Sequence, residues 1–212
     1  MPTDTWGNLP KEKRERISRI ALAEFGQRGF SAGSLNVIAR EAGIAKGSLF
    51  QYFEDKLDLF ATVCAAGSTE IAEATIGVVD PDTPFFDLLR ATVDQWLTYF
   101  RANPEQQRMA FAAANEIDAE ARTAVRSVAN SFYAEALRPV IERAKARGEL
   151  RPDADPDLVV SMVTVVLRHL NTAPFDPVGD PAFPFLDMDD GEVDDIAHQF
   201  VDVLERAFGP ER

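Results

Sequence analysis

The sequence predicts an all-α protein of about nine helices, on three observations. Apolar residues recur at three- and four-residue spacing along most of the chain, and no stretch sustains an alternation of period two. Prolines stand where periodic stretches begin (Pro10, Pro104, Pro156) and glycines where they end (Gly29, Gly148, Gly209). The chain of 212 residues, 46% hydrophobic and 27% charged, is long enough for a small domain joined to a larger one.

The first helix is expected from about Pro10 to Arg28, with Ile17, Ile20, Ala21 and Phe25 on one stripe, Gly29 as its stop and Phe30 packing back. Ser34 can cap a short second helix, 35–42, whose inward positions are Leu35, Ile38, Ala39 and Ala42. Gly43 then supplies a left-handed turn that residues with a Cβ resist. A third short helix, 46–53, turns Leu49 and Phe53 inward. Asp55 caps a fourth, which has Asp58 at its third position and carries Leu57, Phe60, Ala61 and Cys64 toward Ile76. Pro81, Asp82, Thr83 and Pro84 mark a break. Helices are then expected over 84–102, 104–115, 118–148, 155–171 and 191–208. Pro139 should kink or split the longest, and Asp189 with Glu192 makes a capping box for the last.

Composition narrows the function. A lone cysteine, Cys64, rules out an intrachain disulfide and a thiolate-rich metal centre, and fits a reducing, cytoplasmic setting. The first ten residues lack the basic-then-apolar order of a signal peptide. The most apolar stretch, 158–170, is broken by Ser161, Thr164, Arg168 and His169 and reads as too short and too polar to span a bilayer, so no membrane partner is expected. With only His169 and His198, no nucleophile–base pair, His-rich metal site or cofactor motif stands out. Asp187, Asp189, Asp190, Glu192, Asp194 and Asp195 could gather Mg²⁺, but no second acidic motif accompanies them, and a helix dipole accounts for acid at a helix start. An enzyme is therefore not expected. The net charge of −13 is uneven: residues 1–60 hold nine Lys/Arg against eight Asp/Glu, and residues 61–212 hold 13 against 27.

Two short helices about a Gly turn, behind a supporting helix, form a helix-turn-helix candidate. Ala39, Ala42 and Gly43 let the helices touch, and Lys46, Gly47, Ser48, Gln51 and Tyr52 give the next helix a small, polar, basic face suited to a DNA groove. Over residues 11–60, above all the run from Ile38 to Phe53 followed by Lys56, Leu59 and Phe60, the sequence resembles the TetR/AcrR family of repressors. The resemblance implies that Ser34, Lys46, Tyr52 and Lys56 hold phosphates while Gly47, Ser48 and Phe50 lie over bases. Ala45 departs from the family's Ser or Thr cap, and Gly33 is atypical and expected to loosen its loop. The resemblance divides the chain into a DNA-binding domain, 1–55, and a helical ligand-binding and dimerisation domain, 56–212.

In that second domain the helix at 158–170 is apolar nearly all round, and Ile196, Phe200, Val203, Leu204 and Phe208 stripe the last helix. Either both lie inside a monomer core or, as the resemblance implies, they pair with their symmetry mates in a homodimer. Trp96, Tyr99, Phe100, Met109, Phe111, Phe132 and Tyr133 are read either as ordinary core or as the lining of a cavity for an apolar effector. The effector candidates are Trp96, Phe100, Met109, Phe111, Tyr133 and His169, the last an anion anchor or a salt-bridged residue, as are Arg126 and Arg168. The Pro/Phe-rich segment 174–190 either buries its rings or forms a loose surface loop. The expected function is a ligand-released repressor on double-stranded, pseudo-palindromic DNA; the alternative is a scaffold that keeps the reading head unused.

Overall fold

A computed structural model describes residues 2–75, 80, 82–176 and 179–211, with backbone alone over 128–134. These residues form ten α-helices and two 3₁₀ turns, with no strand among them. They fall into two compact units: residues 1–70 with 103–128, and 71–102 with 129–212.

In the first unit, α1 (Asp4–Gly7) was not expected; α2 (Lys11–Ala32), α3 (Leu35–Glu41), α4 (Lys46–Tyr52) and the start of α5 (Lys56–Thr75) follow their predicted places. α7 (Pro104–Ala114) and the start of α8 (Ala119–Ala146) complete the unit. Trp6 explains α1. The ring is buried against Phe53, with centroids 4.7 Å apart, which holds a four-residue helix that propensity alone would not sustain. α2 loses helical geometry at Gly29, where φ is +68°, and Phe30 folds back onto Phe60, 5.2 Å between centroids. Ser34 Oγ accepts the Val37 amide, so α3 is capped as expected. Gly43, at φ +64°, makes the turn into α4. Asp55 accepts the Asp58 amide and Asp58 accepts the Glu54 amide, so two aspartates take up two amides at the start of α5. The core joins Ile17, Phe25, Ile38, Leu49, Phe53, Leu59 and Phe60 with Met109 and Ala113 from α7. Burial, with Glu116 nearby, pushes the Cys64 thiol far above its ordinary range, so it stays protonated and packs as a small apolar group.

The second unit comprises the end of α5, α6 (Phe85–Ala102), the rest of α8, α9 (Pro156–Thr172), 3₁₀ turns at Ala173–Phe175 and Phe185–Asp187, and α10 (Asp190–Phe208). Pro139 sits inside α8 without splitting it. The end of α5 expected near Ile76, and Pro81 and Pro177, lie outside the described residues. Phe85, Leu89, Val93 and Leu97 on α6 pack with Val159, Val163 and Leu167 on α9 and Val193, Ala197 and Val201 on α10. Arg90 on α6 binds Asp202, at 2.6 Å, and Glu205; Arg101 binds Asp190 and Asp194, at 3.0 and 2.8 Å. Asp202 and Glu205 push the Arg90 guanidinium's pKa still higher, so it stays charged at any working pH. The sequence expectation for 158–170 needs one correction. Joined to the following turn, Pro156–Phe175 is long and apolar enough to cross a membrane by length and composition, although Val159, Val163, Leu167 and Leu170 are buried in this unit's core.

Gly33 also departs from expectation. It is buried, and a Cβ there would lie 2.5 and 2.8 Å from ring carbons of buried Phe25 and 2.9 Å from the Gly29 carbonyl oxygen. Its glycine tightens the loop rather than loosening it. Gly33→Ala is expected to cost about 1–3 kcal/mol through overpacking. Gly7→Ala, with nothing near its Cβ, should stay within ~0.5 kcal/mol of the parent. Urea denaturation of both variants checks this; equal midpoints would contradict the packing argument.

Candidate nucleic-acid interface

The candidate site is built on α4. After Gly43, the Ile44 amide donates to the Ala39 carbonyl at 3.0 Å and the Gly43 amide to Arg40 at 3.1 Å, which closes α3 and aims the chain into α4. Ala45 is the N-cap and gives no side-chain hydrogen bond, as the sequence implied. Leu49 is buried, which leaves Lys46, Gly47, Phe50 and Gln51 exposed and Ser48 half-buried. A Cβ at Gly47 would meet nothing within 4 Å. Packing inside the chain therefore gives no reason for glycine there, although glycine costs a helix about 1 kcal/mol relative to alanine. Phe50 is 52% exposed on the same face.

Tyr52, expected on this face, is turned inward, and Lys56, expected at the start of the next helix, is engaged within the chain. Tyr52 is only 5% exposed: its ring packs between Trp6 and Phe53, with the Lys13 ammonium 5.7 Å from its centroid. It is a core wall. Lys56 is half-buried; it donates to the Ser31 carbonyl at 3.0 Å and lies over the Phe30 ring at 4.7 Å. It joins the start of α5 to the α2–α3 connection. Ser34 sits in that connection, half-buried and engaged as a cap.

Two carboxylates that the sequence reading missed fix the same connection. Glu24 Oε1 accepts the Ser34 amide at 3.0 Å, and Glu116 Oε2 accepts the Phe30 amide at 2.9 Å; both side chains are buried. A glutamate bonded 86 residues away leaves no local pattern to read.

Residues 17–63 match the family model described as bacterial regulatory proteins, tetR family, and residues 85–183 match the tetracyclin repressor-like C-terminal domain. The chain belongs to the TetR family. The regulator AcrR of Shigella flexneri is 37% identical over 70 residues, covering 33% of this chain and 30% of that protein. The repressor BepR of Brucella suis is 29% identical over 143 residues, covering 67% and 60%. The chain thus spans 30% to 60% of the lengths of these two relatives. A TetR family regulator from Chloroflexus aurantiacus matches over the whole of both chains, at 28% identity and TM-score 0.66. FadR of Bacillus subtilis in complex with stearoyl-CoA has TM-score 0.69 at 14% identity over 90% of this chain and 96% of that one, a likeness of fold alone.

The effector candidates of this TetR-family chain are not gathered in either unit. Met109 is buried in the first unit's core, and Phe111 is half-buried in the same unit. In the second unit Trp96 is 4% exposed and its indole N–H donates to Thr75 Oγ1 at 2.8 Å; Phe100 is fully buried beside Tyr99 and Phe175. The side chains of Phe132 and Tyr133 lie outside the described residues. Arg126 is exposed and Arg168 half-buried. The acidic run is used structurally: Asp189 and Glu192 form the expected capping box, and Asp190 and Asp194 bind Arg101.

The 174–190 segment covers its phenylalanines in part: Phe185 is buried, and Phe175 and Phe183 are half-buried. Pro174 and Phe185 are buried, and Phe183 packs on Phe185 and Phe200 at 5.9 and 6.2 Å. Asp180 pins it: Oδ1 accepts the Ala182 and Phe183 amides at 2.7 and 2.8 Å, and Oδ2 lies 2.9 Å from His169 Nε2. Desolvation alone would push the Asp180 carboxyl up, but the two amides and His169 together hold it below its ordinary value of 3.8. A depressed carboxylate stabilises the fold above that value and stops doing so as the pH falls through the lower, folded one. Asp180→Asn is therefore expected to be less stable than the parent at pH 7, with the gap closing at an acid pH below the carboxyl's lowered folded value. Chemical denaturation of both at the two pH values checks this; a gap that persists in acid would remove the ionised form from the account.

Proposed function

We propose that this TetR-family chain is a DNA-binding transcriptional repressor, residues 1–55 reading DNA and residues 56–212 binding effector and a second copy. The outward face of α4 carries the reading: Lys46, Gly47, Phe50 and Gln51 stand exposed with Ser48 beside them, and Gly47 has no role within the chain. Gly47 and Ser48 permit close approach to base edges, Phe50 offers an apolar surface to a thymine methyl, and Gln51 can both donate and accept. Lys46, Ser34 and Lys56 are assigned to phosphates, Tyr52 by its hydroxyl alone.

Homodimerisation is supported by Leu158, Met162 and Val165, which form an exposed apolar row on α9, and by Val203, exposed on α10. Two reading heads on a two-fold axis require a pseudo-palindromic operator with half-sites about 34 Å or more apart. The effector is proposed to be a small apolar molecule held near Trp96, Phe100 and His169, and an acyl thioester in a neighbour of the same fold supports that class. It releases DNA by favouring a form in which the two heads no longer match one operator. The buried Trp96 and the pinned His169 make this effector assignment a matter of displacing existing contacts rather than filling an open cleft.

Selection of duplexes from a random pool by the full-length protein, followed by sequencing, tests the reading. An enriched inverted repeat is expected. On that duplex Lys46→Ala should lower affinity across all sequences and reduce the salt slope by about 1, and Gln51→Ala should relax preference at one position in each half-site. Gly47→Ala should leave thermal stability unchanged or raise it, and weaken binding by about tenfold. No enrichment, or full affinity in all three variants, would defeat the proposal.

A further inference from the structure

The C-terminal end of α4 ought to be its weak point. The helix has seven residues, no side-chain N-cap, and at Phe53 the backbone turns extended (φ −132°, ψ 141°). The Phe53 amide closes onto the Leu49 carbonyl at 2.8 Å. No helical amide then follows to take up the carbonyls of Phe50, Gln51 and Tyr52.

Thr3 takes two of these three. Its hydroxyl donates to the Gln51 carbonyl at 2.7 Å, and its backbone amide donates to the Tyr52 carbonyl at 3.0 Å. The same hydroxyl oxygen accepts the Trp6 amide and so starts α1, whose Trp6 ring lies over Phe53 and Tyr52. One threonine therefore begins one helix and ends another 48 residues away. Residues 2–9 lie behind α4 on its inward side, against Tyr52 and Phe53, while Lys46, Gly47 and Phe50 remain exposed.

We propose that Thr3 is a positioning residue for DNA recognition: it caps α4 in trans from the N-terminal segment and keeps the last turn formed, so that Phe50 and Gln51 are presented in one fixed orientation. This rests on the reading of α4 as the helix that meets bases. Thr3 touches no base in this scheme; it acts through the carbonyls of the helix that does. Without the cap the final turn frays, and each binding event must first order it.

The backbone of Thr3 permits a test. Its φ of −73° is one proline adopts, so Thr3→Pro deletes both donors, and with them the hydroxyl oxygen that caps α1, without forcing the backbone of residue 3 elsewhere, whereas Thr3→Ser retains all three groups. Amide hydrogen exchange across residues 49–53 and affinity for the duplex enriched by the parent protein are measured on parent, both variants and Lys46→Ala. Thr3→Pro is expected to speed exchange in α4 and weaken binding, each by about tenfold, with the thermal midpoint of the whole protein little changed; Thr3→Ser should restore both. Parental exchange in α4 of Thr3→Pro would overturn the proposal, even if affinity fell, because Thr3 would then act by another route. Faster exchange without loss of affinity would overturn it as well. Failure of the underlying reading looks different: Lys46→Ala would then bind as tightly as the parent.

Discussion

A two-turn helix cannot hold its own shape in water, and this protein presents its most distinctive surface on one. Isolated helices shorter than about 12 residues are marginal even in favourable sequences. α4 has seven residues, begins on an uncapping alanine and includes a glycine. Its order must come from outside itself. Leu49, Tyr52 and Phe53 anchor it in the first unit's core, Gly43 sets its entry, and Thr3 closes its exit. Every anchor lies on the inward side or at an end. The outward side is thereby relieved of any structural duty, and a glycine and an exposed phenylalanine can persist there.

The connection between α2 and α3 obeys a similar logic, with polar groups in place of rings. The break at Gly29 frees amides and carbonyls in a crowded region, where an unpaired one would cost about 1–3 kcal/mol. Glu116 takes the Phe30 amide, Glu24 takes the Ser34 amide, and Lys56 donates to the Ser31 carbonyl. Three side chains, two of them from distant parts of the chain, thus fix a six-residue stretch, and Gly33 admits the Phe25 ring into its bend. Lys56 and Ser34, which the family pattern assigns to phosphates, are already engaged here. Lys56 spends one of its ammonium's three donors on the Ser31 carbonyl. Holding the connection and meeting a phosphate are therefore compatible uses of one side chain.

How much of this the sequence disclosed depended on how far the deciding partner lay. Helix starts and stops were legible because proline, glycine, Ser34, Asp55 and Asp189 act on amides within four residues. The exposed face of α4 was legible from spacing about Leu49. Tyr52 was misread because its burial depends on Trp6, from a helix too short to show any period. Gly33 was misread because what fills the space of its missing side chain is Phe25, which no pattern at 33 reveals. In the 174–190 segment the composition showed only that phenylalanines needed cover; that His169 and Asp180 tie it down is a property of the fold.

The charge distribution bears on why such a head would come in pairs. Residues 1–60 carry a surplus of about one positive charge, and the rest of the chain a large negative one. That negative surplus remains after every Lys and Arg is counted, Arg90 and Arg101 on α6 included, so the remainder of the chain contributes repulsion from a phosphate backbone rather than attraction. Affinity under the proposed function must therefore come from a small, nearly neutral head with few phosphate contacts, and one such head binds weakly. Coupling two heads through the apolar row of Leu158, Met162 and Val165 makes the second contact intramolecular, which multiplies affinity without adding a single new interaction. It also makes affinity depend on the distance between heads. A weakly charged head on an acidic body is thus what a releasable DNA binder needs: were either head sufficient alone, changing their separation would release nothing.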